Sequence, residues 1–306
     1  MIYDVIILGS GPAGLSAAIY AKRAMLNALM IDRNYIGGGQ ILNTYEVDNY
    51  PGLPGISGFD LGEKMSEHAD KFGIEKVSTD ISSIDILSEI KTVHTDEGDF
   101  QGKAIIIATG NSPKKLLVPG EEELTGMGVS YCATCDGAFF KGKTTAVVGG
   151  GDVAIEDAIF LSRGCEKVYL IHRRDELRGA KSLQEELFNT ENIEVIFDTV
   201  VTSINGSDKV ESITINNVKT NAIDTITVNG VFLAVGNDPN TIALDDAKTN
   251  LETDERGYIK ASEDCKTNIP GVFAAGDIRT KKLRQVVTAV ADGANAIESL
   301  QEYLRK

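Results

Sequence analysis

The sequence predicts an α/β protein containing two separate parallel sheets. Three observations carry that reading. An unbroken apolar run followed by a glycine-rich turn occurs twice, Val5-Ile6-Ile7-Leu8 before Gly9 to Gly14 and Thr145-Ala146-Val147-Val148 before Gly149 to Ala154. The two turns start 140 residues apart. A chain of 306 residues is long enough for about two cores. Strands covered on both faces need no polar alternation, so continuous apolar runs mark buried parallel strands.

In the first unit, Gly9-Ser10-Gly11-Pro12-Ala13-Gly14 follows its strand at once. Leu15 to Met25 is Ala-rich and helical in character, and Ala28-Leu29-Met30-Ile31 reads as a second strand ending in Asp32. This is the order of a dinucleotide-binding βαβ unit of Rossmann type. Gly9 makes the turn, Gly11 admits a pyrophosphate and Gly14 lets helix and strand pack closely. Asp32, eighteen residues after Gly14, is placed to accept hydrogen bonds from a ribose.

The second unit repeats the pattern in Gly149-Gly150-Gly151-Asp152-Val153-Ala154, with Ala154 in the third glycine's place. A helical run, Ile155 to Leu161, and a strand, Lys167 to Ile171, follow. The same eighteen-residue step from Ala154 lands on His172, which opens the cluster His172-Arg173-Arg174-Asp175-Glu176-Leu177-Arg178, with Lys181 beyond. Cations at the end of the second strand suit a ribose 2′-phosphate, so this site is expected to prefer NADP over NAD. Two unlike nucleotide sites on one chain suggest a flavoprotein, with FAD in the first and a nicotinamide in the second.

Composition narrows the partners. Lys and Arg number 30 against 45 Asp and Glu, a net charge of −15 that disfavours nucleic acid and anionic membranes. No stretch approaches the ~18 apolar residues of a membrane span, and Met1-Ile2-Tyr3-Asp4 lacks a signal peptide's basic start, so a cytoplasmic protein is expected. The 31 glycines exceed the roughly 21 of an average composition, and nine of them fall in three clusters, Gly9/Gly11/Gly14, Gly37 to Gly39 and Gly149 to Gly151.

Between the two turns lies Ser130-Tyr131-Cys132-Ala133-Thr134-Cys135-Asp136-Gly137. In the cytosol a C-x-x-C pair is catalytic or metal-binding. Zinc needs two more ligands, and Cys165, Cys265, His68 and His94 are not arranged to supply them. A dithiol exchanging electrons with a flavin also needs a proton source for its leaving thiolate. Asp136 is the nearest acid, although an Asp beside a turn glycine can also simply shape the loop. His68 and His94 read as surface residues, and Cys165 and Cys265 as structural thiols.

With these residues in place, the chain resembles the low-molecular-weight, prokaryote-type thioredoxin reductases along nearly its whole length. The specific combination is Cys-Ala-Thr-Cys-Asp placed before the second fingerprint. Further matching segments are Gly38-Gly39-Gln40-Ile41, Asn49-Tyr50-Pro51-Gly52, Ala108-Thr109-Gly110, Ala274-Ala275-Gly276-Asp277 and Arg284-Gln285-Val286. The resemblance implies that these contact FAD. It assigns Cys135 to exchange with the flavin, Cys132 to attack the protein substrate and Asp136 to proton transfer. It places NADPH on Gly151, Asp152, Val153, Ala154, Glu156, His172, Arg173, Arg174, Arg178 and Gly236.

The resemblance also implies the class II pyridine nucleotide-disulfide oxidoreductase architecture, a homodimer, and a hinge that lets nicotinamide and disulfide face the flavin in turn. The expected FAD domain is 1–114 plus 241–306, and the inserted NADPH domain is 115–240, with turn-rich crossings at Asn111-Ser112-Pro113 and Gly236-Asn237-Asp238-Pro239. Val153 stands where many members have Ser or Thr, and Asn237 where a His is common. The expected activity is reduction of thioredoxin by NADPH. The same relay serving a glutaredoxin-like or peroxidase partner, ferredoxin as donor, and a redox-sensing flavoprotein without turnover remain as alternatives.

Overall fold

A computed structural model describes residues 1–43, 47, 49–241 and 250–305, without the side chains of Asn43 and Cys135. The chain forms two compact units, Met1–Ser112 with Asp238–Lys306, and Pro113–Asn237. The two crossing segments, Asn111–Pro113 and Asn237–Pro239, pair as a two-stranded ribbon.

The larger unit is built on a five-stranded sheet in the order Val272–Ala274, Ile105–Ile107, Val5–Leu8, Ala28–Asp32, Glu75–Ser78, parallel throughout. Side chains alternate across a strand, so one apolar run serves two cores. Val5 and Ile7 join Met30, Ile106 and Phe273 against helices Pro12–Arg23 and Val286–Leu304. Ile6 and Leu8 join Leu29, Ile31 and Ile105 against Ile84 and Val93 of a second, four-stranded sheet. Because both faces are covered, Val5–Leu8 is wholly buried. The Ala28 run ends at Asp32, the first residue of that strand to reach the surface.

The two helices lie close because their facing residues are small. A Cβ at Gly293 would strike the backbone of Ala13 and Ala17, and the Ser16 hydroxyl donates to the Val290 carbonyl at 2.7 Å. The strand Val272–Ala274 ties the C-terminal segment to Ile105–Ile107 through parallel pairing.

The smaller unit repeats the plan. Its parallel sheet runs Val129–Ser130, Gly230–Ala234, Thr144–Gly149, Lys167–Ile171, Ile193–Ile196. Val147, Leu170 and Phe232 pack on helix Asp152–Ser162, while Ala146, Ile171 and Leu233 pack on an antiparallel sheet of Thr199–Asn205, Ser212–Asn217 and Ile223–Thr227. No helix among the described residues is long and apolar enough to cross a membrane.

Candidate functional site

In the larger unit the glycine turn links a buried strand to a helix whose first residue is Pro12, with its ring-fixed φ and no N–H to leave unsatisfied. A Cβ at Gly9 would overlap the Ala108 carbonyl oxygen, and one at Gly14 the Gly9 carbonyl oxygen. Gly11 differs: nothing lies within 4 Å of where its Cβ would stand. It is also the residue before the helix and makes no side-chain cap, so the first helical N–H groups are left for an anion.

Other predicted residues converge on this turn. Asp32 accepts from the Ser10 backbone N–H at 2.6 Å and from its hydroxyl at 2.8 Å, which aims the carboxylate along the turn. Gly38 donates to the Ser10 carbonyl at 2.7 Å, bringing Gly39 to within 3.1 Å of the Gly11 Cα as measured from its would-be Cβ. Gln40 begins the short helical segment Gly39–Asn43 and donates through Nε2 to the Asn111 carbonyl and side chain. Ile41 is buried beside Val47 and Leu61, with Val286 against the same cluster. The Asn49 amide donates to the Gln285 side chain at 2.8 Å. Ala108 lies under the turn, Thr109 bonds the Asn240 carbonyl at 2.9 Å, and Gly110 accepts from the Asn240 N–H.

Gly276 and Asp277 follow the strand Val272–Ala274, at the carboxyl ends where ligands collect in such sheets. Asp277 Oδ1 and Arg284 Nε are buried without a hydrogen-bond partner among the described residues. Burial pushes the Asp277 carboxyl up, against the pull of Lys281 and Arg284. Buried polar atoms left unpaired call for a polar ligand. With the open Gly11 turn, they fit a dinucleotide such as FAD.

Sequence reading missed the support beneath this site. Asp292, on helix Val286–Leu304, receives Arg279 at 2.6 and 2.8 Å, Lys281 at 2.8 Å and the Gly276 N–H at 2.8 Å. Burial works to raise its carboxyl, but the hydrogen bonds from Arg279 and Lys281 outweigh it and hold it below the usual range. The available signal was an acid inside the small-residue stripe Ala289, Gly293, Ala296.

The smaller unit presents the second turn. Gly149 packs on the Ala234 carbonyl and on Ala154, and Gly150 lies against the His172 ring. Gly151, like Gly11, has open space where a Cβ would be and precedes its helix in an extended conformation. Asp152 accepts from the Ala180 N–H at 2.7 Å, while Val153 and Glu156 are exposed. Arg173, Arg174 and Arg178 are exposed and form no ion pair among the described residues, so their charges are available to a phosphate. Arg178 is held close by its backbone N–H, which donates to the Gly150 carbonyl at 2.7 Å. His172 is placed differently from these arginines. It is 4% exposed, burial lowers its pKa, and its Nε2 has no hydrogen-bond partner among the described residues, so it forms the wall behind Gly150 rather than a surface cation. Gly236 accepts from the Lys114 N–H at 2.9 Å at the crossing segment.

The redox motif lies in the same unit. Cys132 is the residue preceding the one-turn helix Ala133–Asp136, and it is held in a disulfide. The side chain of Cys135 lies outside the described residues. Cys165 and Cys265 are free buried thiols, raised by burial, with Cys265 pushed up to about 12. Ser130, at the end of a sheet strand, accepts the Cys132 N–H at 3.1 Å and donates to Asp136 Oδ2 at 2.6 Å. Tyr131 donates to Glu121 at 2.8 Å, and Glu121 is 2% exposed and also accepts the Leu116 and Leu117 N–H groups. Neither Ser130 nor Glu121 stood out in the sequence, since each is defined by what it touches. His68 is exposed and His94 pairs with Asp99 at 2.8 Å.

Two dinucleotide-type turns, free arginines beside the second, and a disulfide flanked by an acid define an oxidoreductase of the nucleotide-dependent dithiol class. The family model for pyridine nucleotide-disulphide oxidoreductase matches residues 3–293, and the chain belongs to that family. It is 46% identical over 312 residues to the thioredoxin reductase of Peptoclostridium litorale, covering 100% of this chain and 98% of the relative. It is 46% identical over 307 residues to that of Bacillus subtilis, covering 100% and 96%. Among solved structures, Lactococcus lactis thioredoxin reductase in its FR conformation superposes with a TM-score of 0.80 at 42% identity, covering 99% of each chain.

Proposed function

We propose that the chain is a thioredoxin-disulfide reductase that uses NADPH and a bound FAD. The observation that carries this reading is the position of the redox motif, which opens a short helix within the same compact unit as the second glycine turn. FAD would be held in the larger unit by the Gly9–Gly14 turn, Asp32, Gly39, Gln40, Asn49, Thr109, Asp277 and Gln285. NADPH would be held in the smaller unit by Gly151 and the following helix start, with Arg173, Arg174 and Arg178 on its 2′-phosphate. The free arginines favour NADPH over NADH or ferredoxin as donor.

What FAD supplies when bound is the conversion of a hydride from NADPH into the two electrons that open the disulfide. The protein's own groups carry the rest. Asp136 takes the proton of the Cys132 thiol, and the thiolate attacks the thioredoxin disulfide to form a mixed disulfide. Cys135 then attacks the Cys132 sulfur of that mixed disulfide and displaces the thioredoxin thiolate, re-forming the intramolecular bond and releasing reduced thioredoxin once its thiolates take up protons. Rotation of the smaller unit about the two crossing segments would serve the two half-reactions in turn. A cytoplasmic location completes the reading, since a C-x-x-C relay needs a compartment that keeps its product thiols reduced, and the homodimer is taken from the family alone.

The test is steady-state reduction of thioredoxin with NADPH, NADH or no donor, using FAD-loaded wild type and Cys135→Ser. NADPH-dependent turnover that is lost in the variant is expected. A flavin left oxidised by NADPH would overturn the donor assignment, and a reduced flavin without thioredoxin turnover would overturn the partner.

A further inference from the structure

We propose that the Ser130 hydroxyl is a two-position proton switch that positions Asp136 in both of its protonation states. This rests on the proposed role of Asp136 in proton transfer at Cys132. Ser130 is 6% exposed and belongs to the strand Val129–Ser130, whose backbone pairs with Val231 and Phe232 in the parallel sheet. The hydroxyl is therefore fixed to the sheet, while the residues it serves begin a separate helical turn.

Three polar atoms surround that one oxygen. The Cys132 N–H donates to it at 3.1 Å. Asp136 Oδ2 lies 2.6 Å away, and the Cys132 carbonyl oxygen 3.2 Å away. A hydroxyl has one proton to give and two lone pairs to receive with. When Asp136 is ionised, the Ser130 proton goes to Oδ2. When Asp136 is protonated, its O–H donates to Ser130 Oγ, and the Ser130 proton turns to the Cys132 carbonyl. Both states satisfy the hydroxyl with the same heavy-atom positions, so Asp136 changes charge without leaving a buried polar group unpaired. Among the described residues the Thr134 hydroxyl also reaches Cys132, with Oγ1 3.3 Å from the sulfur, but of these two hydroxyls it is Ser130 that bonds Asp136.

On opening, the S–S bond takes two electrons, ultimately from NADPH. The Cys132 sulfur leaves with an electron pair and takes the Asp136 proton, and Ser130 swings to the new carboxylate. On attack at thioredoxin the proton returns to Asp136, and Ser130 swings back. Ser130 touches none of the reacting sulfur atoms in this scheme, so it acts as a positioning residue.

The experiment compares wild type, Ser130→Ala, Ser130→Thr and Asp136→Asn in thioredoxin reduction as a function of pH. The limb of the profile that reports Asp136 is the one lost in Asp136→Asn. Removing a donor to a carboxylate disfavours its charged form, so in Ser130→Ala this limb moves to higher pH, with kcat down about tenfold. In Ser130→Thr, which keeps the hydroxyl, the limb returns to its wild-type position. The helix Asp152–Ser162 packs against Ala133–Asp136 and carries Asp152, Glu156 and Asp157. Asp157 titrates at about 7, so the profiles are repeated in an Asp157→Asn background. Val129–Ser130, Gly230–Ala234 and Gly137–Phe140 carry no charged residue, and Lys141 and Lys143 follow directly.

An unchanged limb in Ser130→Ala, with wild type reducing thioredoxin, would overturn the switch and leave the proposed activity standing. Wild type that fails to reduce thioredoxin would overturn the activity instead. A redox-difference infrared spectrum of wild type then tests the switch alone. A carboxyl band that changes with disulfide reduction, is absent in Asp136→Asn and is displaced in Ser130→Ala but not in Ser130→Thr supports it, and no such band, or one unmoved in Ser130→Ala, overturns it.

Discussion

Gly11 and Gly151 hold the same place in the two units. Each is the extended residue before a helix, with φ/ψ of −71°/−179° and −95°/−176°, and each has nothing within 4 Å of where a Cβ would stand. Their neighbours Gly9, Gly14 and Gly149 are instead pressed against backbone oxygens. In both turns, therefore, some glycines are required by the fold and one is left open to a ligand.

That division separates two kinds of variant. Gly11→Ala and Gly151→Ala are expected to keep the thermal stability of the ligand-free protein within about 0.5 kcal/mol of wild type. They weaken FAD retention and NADPH affinity respectively by tenfold or more, because the new methyl occupies the open space. Gly14→Ala is expected to lower Tm by several degrees or prevent folding. Calorimetry with flavin content and NADPH titration checks all three, and a stable Gly14→Ala would contradict the close-packing account.

The free arginines are proposed above to set the choice of donor. Arg173→Ala with Arg174→Ala is expected to raise KM for NADPH ten- to a hundredfold while leaving KM for NADH within twofold, since only NADPH carries the 2′-phosphate. The gap between NADPH and NADH should also narrow as salt rises. Equal losses for both donors would show that the pair serves the fold.

Asp292 couples stability to acid. Its folded carboxyl lies below the ordinary 3.8, so its stabilising contribution is complete above the unfolded value and is lost as pH falls through the folded one. Asp292→Ala leaves Arg279 and Lys281 buried without their partner and should cost about 3–5 kcal/mol at pH 7, with the deficit shrinking below about pH 4. Urea unfolding at several pH values measures it.

Asp157 has the opposite sign. Burial, and then the charge of Glu156, lift its carboxyl to about 7, so the folded chain binds that proton more tightly than the unfolded one. Stability therefore falls as pH rises from about 4 to about 7, and is flat above. Asp157→Asn should be more stable than wild type at pH 8 by on the order of 2 kcal/mol, a gap that closes toward pH 4. A constant difference across pH would remove Asp157 as the cause.

Much of the architecture was legible in residue order. Val5–Leu8 and Thr145 to Val148 could be read as strands because a sheet covered on both faces favours an unbroken run of apolar and β-branched residues, and the turns because glycine spacing is local. The pairing of Asn49 with Gln285 spans 236 positions, and no spacing rule reaches that far. His172 shows the limit most directly: beside three arginines it reads as one more surface cation, yet its ring is turned inward against Gly150.

The sequence by itself determined the two βαβ units, the order of their ligand-facing turns, the C-x-x-C pair and the cationic cluster. All of these are patterns of residue type and spacing, which are visible without knowing which groups are buried or what they touch. Only the tertiary structure decided that Ser130 joins Cys132 to Asp136, that Glu121 holds Tyr131, and that Asp292 gathers Arg279, Lys281 and Gly276. A buried polar group is defined by its partners, and its partners are chosen by how strands and helices pack. Seen without them, a buried acid and a solvated one are the same letter in the sequence.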